Sequence, residues 1–170
     1  MLEKTADTIE SVIEWSGRVV AWLTLCMVVV TFAIVVLRYA FDLGWIALQE
    51  SVSYMHALVF LIGAAYTLKH NAHVRVDIFY QKMSPRGKAW IDLLGTLFML
   101  LPVMGFIIWV SWGYVADSWA VYEGSRDAGG LPGVFLLKSA ILLMAALLIL
   151  QGIAQALRAL STVLQPGSKG

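Results

Sequence analysis

The stretch WIALQESVSYMHALVFLIGAAYTL, Trp45 to Leu68, is mostly apolar and long enough to cross a bilayer as one helix, yet it carries a carboxylate at Glu50 and an imidazole at His56. A hydrocarbon core about 30 Å thick needs roughly 20 apolar residues in a helix. Three other stretches meet that length, and the expected spans are about 19–37, 46–68, 89–116 and 131–150. Of the 170 residues 60% are hydrophobic and only 14% charged, and the mean hydropathy is +0.79. A soluble domain of this size carries far more charge. The predicted fold is therefore all-α and polytopic, with residues 1–170 forming a single four-helix transmembrane domain.

Composition also excludes function classes. The net charge is +1 and the twelve Lys and Arg residues are scattered, so a nucleic-acid role is not expected. Cys26 is the single cysteine and lies inside the first apolar run. Neither an intramolecular disulfide nor a thiolate metal site can be built from it, and it reads as a small apolar filler. About 18 residues with four acids precede that run and no small-residue cleavage pattern follows, which predicts a retained helix rather than a signal peptide.

With four spans both termini lie on one side. Lys4, Arg18, Lys69, Arg75, Lys82, Arg86, Lys88, Arg158 and Lys169 fall on that side, against Arg38, Arg126 and Lys138 on the other. The positive-inside rule then predicts cytoplasmic termini. Before the first span, Ile9, Val12, Ile13 and Trp15 follow helical spacing with Asp7, Glu10 and Glu14 opposite, the pattern of an N-terminal interfacial amphipathic helix. Its acidic face suits contact with protein, or a plain helical start to span one, better than contact with anionic lipid. The connection RYAFDLGW is short enough to make spans one and two a tight hairpin. In the central loop Val74, Val76, Ile78 and Phe79 alternate with Arg75, Asp77 and Gln81, predicting a cytoplasmic interfacial segment that ends at Ser84–Pro85. Pro132 suits the first turn of span four. Trp109, Trp112, Tyr114, Trp119 and Tyr122 read as an aromatic belt against membrane lipid.

Few polar residues lie within reach of chemistry. Glu50 stands about 6 Å from Ile46, near the outer interface. Intramembrane acids pair or face a cavity, and Arg38 and Lys138 reach the same level, so a network of Glu50, Arg38 and Lys138 is expected. The rival reading makes Glu50 a proton or cation coupling site of a small independent carrier or exporter, for which a deeper carboxylate and a broken helix would be expected. A haem at His56 needs a second buried histidine, and His70 and His73 both fall in the loop. His56 is expected to hydrogen-bond across a helix interface, as are Gln49, Ser53 and Thr67. Gly63, Ala64 and Ala65, with Gly95, Gly105 and Gly113, are candidates for close helix approach. No nucleophile with its base, zinc motif, phosphate-cradling glycine loop or EF-hand is present, so no enzymatic activity and no cofactor are expected.

Taken in order, RYAF closing span one, W and QE opening span two, GAAYTLKHNAHVRVD closing it, SPRGKAWIDL opening span three, and SW with EGSRDAGGLPGVFLLKSAILL leading into span four resemble the small membrane subunit of tripartite ATP-independent periplasmic (TRAP) transporters. The likeness covers roughly residues 18 to 158. It implies a bacterial inner-membrane complex in which a periplasmic substrate-binding protein delivers an organic acid to a large permease subunit. That subunit would hold the substrate and sodium sites, while the small one serves as scaffold and docking partner without chemistry of its own. On this resemblance Arg38, Tyr39, Glu50, His73, Arg75 and Asp77 match the most family-like positions and are assigned to folding, subunit contact or lipid anchoring. Gln49 departs from the pattern, since many relatives carry a second acid there.

Overall fold

The computed structural model describes residues 2–73 and 78–164. Helix α1 runs Leu2–Phe41, α2 Ile46–Lys69, α3 Pro85–Gly95, α4 Leu101–Ala120 and α5 Val134–Leu164. A π-helical turn, Thr96–Leu100, joins α3 to α4 into one rod, and a 3₁₀ turn, Tyr80–Lys82, precedes α3. Among the described residues four helical rods are long and apolar enough to cross a membrane, Glu3–Phe41, Ile46–Lys69, Pro85–Ala120 and Val134–Leu164. The protein is a multi-pass, all-helical membrane protein, as the apolar runs require.

The N-terminal amphipathic stretch is helical and forms the first turns of α1, the plain start to span one that is the alternative to a separate interfacial element. Its apolar side has a place to go: Ala6 and Ile13 are fully buried, and Ile13 joins Ala65 of α2, Met104 of α4 and Ala145, Leu147 and Leu148 of α5 in the central cluster. Nothing breaks the helix before the span, so burial and backbone hydrogen bonding both favour continuing it.

Several helix ends are closed locally. Asp42 takes φ +55°, and the N–H of Leu43 returns to the Leu37 carbonyl at 3.0 Å. Asn71, at φ +52°, ends α2 with Ala72 N–H donating to Thr67 O at 3.0 Å, a Schellman close in which Asn tolerates the left-handed position. Ser84 caps α3 by accepting from Gly87 N–H at 3.2 Å, with Pro85 in the first turn. The third rod thus begins four residues earlier than its apolar run suggested, because the cap and proline start it in polar sequence. The π-helical turn adjoins Pro102, whose missing N–H removes one ladder bond and makes that stretch the place where the register slips.

The packing order is α1 on α2, α2 on α5 and α5 on α4, with α1 also meeting α5. Close approach comes from glycines other than those anticipated. A Cβ on Gly17 would collide with the ring and Cβ of Tyr66, and one on Gly152 would stand 2.8 Å from Leu100 Cδ2 and 3.3 Å from Thr96 Cγ2. At Gly63, Gly95, Gly105 and Gly113 a Cβ would meet nothing within 4 Å. Cys26 is exposed rather than filling a core, because α1 keeps that face outside its contacts with α2 and α5.

Candidate functional site

The polar chemistry of the molecule gathers at the two ends of the helices. At the end opposite the termini, the connection between α4 and α5 folds back over α2 and α5. Glu50, in the first turns of α2, accepts from the Ser125 hydroxyl and from the Leu131 N–H, the latter at 2.6 Å. Glu123 accepts from Ser118 Oγ at 2.7 Å and pairs with Lys138 of α5. The Lys138 ammonium also lies 3.9 Å from the centroid of the Tyr114 ring, a cation–π contact strengthened by desolvation. The Lys138 and Ser118 bonds hold the Glu123 carboxyl below the usual carboxylate range.

Backbone chemistry makes this loop a fixed object. Tyr122 adopts φ +46° while Glu123 N–H returns to Ser118 O at 3.0 Å, closing α4. Ser125 N–H donates to Leu131 O at 3.0 Å, pinching the loop, and Phe135 N–H donates to Glu123 O at 3.3 Å. A side chain at Gly130 would collide with Ser125 and with Glu50 Oε1, so only glycine lets the backbone come this close to the carboxylate. Trp119 Nε1 donates to Ser139 Oγ at 2.8 Å, and Trp119 and Tyr122 both meet the Phe135 ring edge-on. Pro132 therefore precedes α5 instead of lying in its first turn. The Glu50 and Ser125 bonds keep residue 131 in the loop, and Gly133 O is the first acceptor of the helix, from Leu136 and Leu137 N–H.

The expected Glu50–Arg38–Lys138 network does not form. The loop inserts its own donors against Glu50 and its own acid, Glu123, against Lys138, giving each a nearer partner. Arg38 and Tyr39 stand exposed at the end of α1, and their side chains make no hydrogen bond or ion pair among the described residues. His56 is exposed too; its ring lies 4.7 Å from that of Phe60 on its own helix and makes no side-chain hydrogen bond among the described residues, because α2 meets α1 and α5 through other faces. Thr67 Oγ1 donates within its helix to Gly63 O at 3.0 Å. His73 borders a groove between α1 and α2. Arg75 and Asp77 lie outside the described residues.

At the terminus-bearing end, a second cluster ties α1 to α2 and α5. Arg158 donates through Nε to Glu10 Oε1 at 2.6 Å, and through one Nη to Glu10 Oε2 and Asp7 Oδ1, both at 2.9 Å. Glu14 accepts from Lys69 Nζ at 2.7 Å and from Arg18 Nε at 3.0 Å, and contacts His70 Nε2 at 2.9 Å. Lys69 also donates to Glu10 O at 3.1 Å. Beside this cluster Tyr80 donates to Asp92 at 2.7 Å on the rim of a cleft of about 570 Å³. Sequence reasoning recognised the acidic face of the N-terminal segment as protein-facing, but not that its partners are the chain's own Arg158 and Lys69. Nothing in the sequence spacing of Glu123, Ser125 and Gly130 marked them as the partners or neighbours of Lys138 and Glu50.

The family model described as "Tripartite ATP-independent periplasmic transporters, DctQ component" matches residues 27–162. A protein of Haemophilus influenzae bearing the description "Putative TRAP transporter small permease protein" is 31% identical over 75 residues, which are 44% of this chain and 47% of that relative. The chain thus spans about half the length of the curated relative it matches. No solved structure matches it. The family match extends from within α1 to near the end of α5 and takes in both polar clusters except the N-terminal acids and Arg18, and on it this chain belongs to the DctQ component family of tripartite ATP-independent periplasmic transporters.

Proposed function

We propose that this chain is the small permease subunit of a secondary-active transporter in the bacterial inner membrane, with both termini in the cytoplasm. It pairs with a large multi-span permease subunit that carries the sodium and substrate sites, and a periplasmic binding protein supplies an organic acid. The small subunit acts as scaffold and docking partner and performs no chemistry. The observation that carries this reading is the use made of Glu50: both of its oxygens are taken by the α4–α5 loop, and the nearby cation Lys138 is taken by Glu123. A carboxylate that must bind and release a coupling ion needs a free oxygen and a path, whereas one saturated by loop donors fixes a surface.

The experiment is affinity purification of the chain from its native membranes in mild detergent, with identification of the proteins retained. A stoichiometric polytopic partner supports the reading. Purification of the chain alone, together with substrate-driven sodium or proton flux in vesicles that Glu50→Gln abolishes, overturns it in favour of an independent carrier.

A further inference from the structure

One face of α2 is left largely uncovered among the described residues. Gln49, Ser53, His56, Phe60, Gly63 and Thr67 recur at alternating spacings of four and three residues, the seam of a helix that packs against another at a shallow left-handed crossing. The first four are exposed. Gln49, Ser53 and His56 make no side-chain hydrogen bond among the described residues, although the seam runs about 27 Å along the helix and His56 sits about 15 Å from Ile46, near mid-bilayer. Hydroxyl and imidazole groups at the depth of Ser53 and His56, turned to hydrocarbon, forfeit their hydrogen bonds with water and gain none. The half of the seam nearer the termini opens into a hollow of about 550 Å³ whose other wall is Gly17, Val20, Ala21 and Thr24 of α1. A shallower hollow of about 440 Å³ continues along α1 past Thr31 to Val35.

We infer that this groove between α1 and α2 is the seat of one transmembrane helix of the large permease subunit. Its chemistry is set by the seam: polar side chains level with Ser53 and His56, and a protruding apolar ridge that fills the space over Gly63. The inference rests on the subunit reading above. A second copy of this chain fits poorly, because a two-fold self-contact would set hollow against hollow and fill neither. Lipid tails fill space but offer His56 no hydrogen-bond partner.

The test uses the complex purified from native membranes. A photo-reactive phenylalanine analogue replaces Phe60, with the equally outward Trp109 of α4 as control. Separately, Gly63→Leu is compared with Gly113→Leu, since a Cβ at either position meets nothing within 4 Å in this chain and leucine raises helix propensity. The expected result is a crosslink from position 60 to the large subunit and none from position 109, with Gly63→Leu lowering recovery of that subunit at least about tenfold and Gly113→Leu leaving it unchanged. An adduct to a second copy of the chain, no protein adduct at position 60, or wild-type recovery with Gly63→Leu would overturn the groove assignment while the subunit reading stands. Failure of the unmodified chain to retain any large subunit would overturn both.

Discussion

The carboxylate of Glu50 accepts the backbone N–H of Leu131 at 2.6 Å across 81 positions of sequence. The first turns of α2 thereby hold the far end of the α4–α5 connection, and the Ser125 hydroxyl on the other oxygen completes the grip. The loop is as well anchored as a short turn, although its two ends belong to different helices.

Glu50→Ala is expected to release the loop, leaving the Leu131 N–H and the Ser125 hydroxyl without their acceptor. Glu50→Gln should be milder, because the amide oxygen still accepts from Leu131 while the Ser125 hydroxyl can turn to accept from the amide nitrogen. Limited proteolysis within residues 121–133 measures this: the Ala variant should be cut fastest, the Gln variant at an intermediate rate. Equal resistance in all three forms would contradict the anchoring role.

Acid should loosen the same loop through Glu123. Its folded-state carboxyl titrates below the ordinary value of 4.5, chiefly through its bond to Lys138 and then Ser118. A depressed carboxylate contributes stability that is fully present above its unfolded pKa and is lost as pH falls through the folded one. Thermal unfolding in detergent should therefore show this contribution intact at neutral pH and declining below about pH 4.5. In Lys138→Met the folded carboxyl moves back toward its ordinary value, so the loss of stability on acidification should shrink, and an unchanged pH profile in that variant would argue against the pair.

Gly17→Ala should push α1 away from α2, because the new methyl meets the Cβ of Tyr66 as well as its ring and a Cβ cannot swing aside. Overpacking of this kind costs about 1–3 kcal/mol, read as a lowered melting temperature of the purified chain. Gly105→Ala, where the methyl meets nothing within 4 Å, is expected to melt like the wild type.

Arg158→Lys keeps the charge but loses the planar fork that reaches Glu10 and Asp7 together. The Arg158 side chain is half exposed, so solvent screening limits the loss to about 0.2–1 kcal/mol. Hydrogen exchange should report it locally, with faster exchange over the first turns of α1 and no change in α4. Uniform acceleration along the whole chain would point instead to global destabilisation.

The spans were legible because they follow from composition within each segment, and their ends moved only where caps and turns acted: Ser84 and Pro85 started the third rod early, and Gly133 started α5 late. The π-helical turn carried a sequence trace in Pro102, which went unread because a proline inside an apolar run does not say how the ladder will slip. The acids of the N-terminal segment read correctly as protein-facing. Glu50 and Lys138 read correctly as groups that need partners, yet their partners were assigned wrongly.

The sequence by itself determined that the chain is a four-span membrane protein, because in hydrocarbon every backbone polar group must be satisfied within its own segment, and a run of apolar residues then has the helix as its open-ended solution. Only the tertiary structure decided that Glu50 holds Leu131 and Ser125, that Lys138 holds Glu123, and that His56 faces outward. Those outcomes depend on how each helix is rotated about its axis and how the α4–α5 loop folds back, which are set by packing between segments: Gly17 against Tyr66, Gly152 against Leu100, and Gly130 against Glu50.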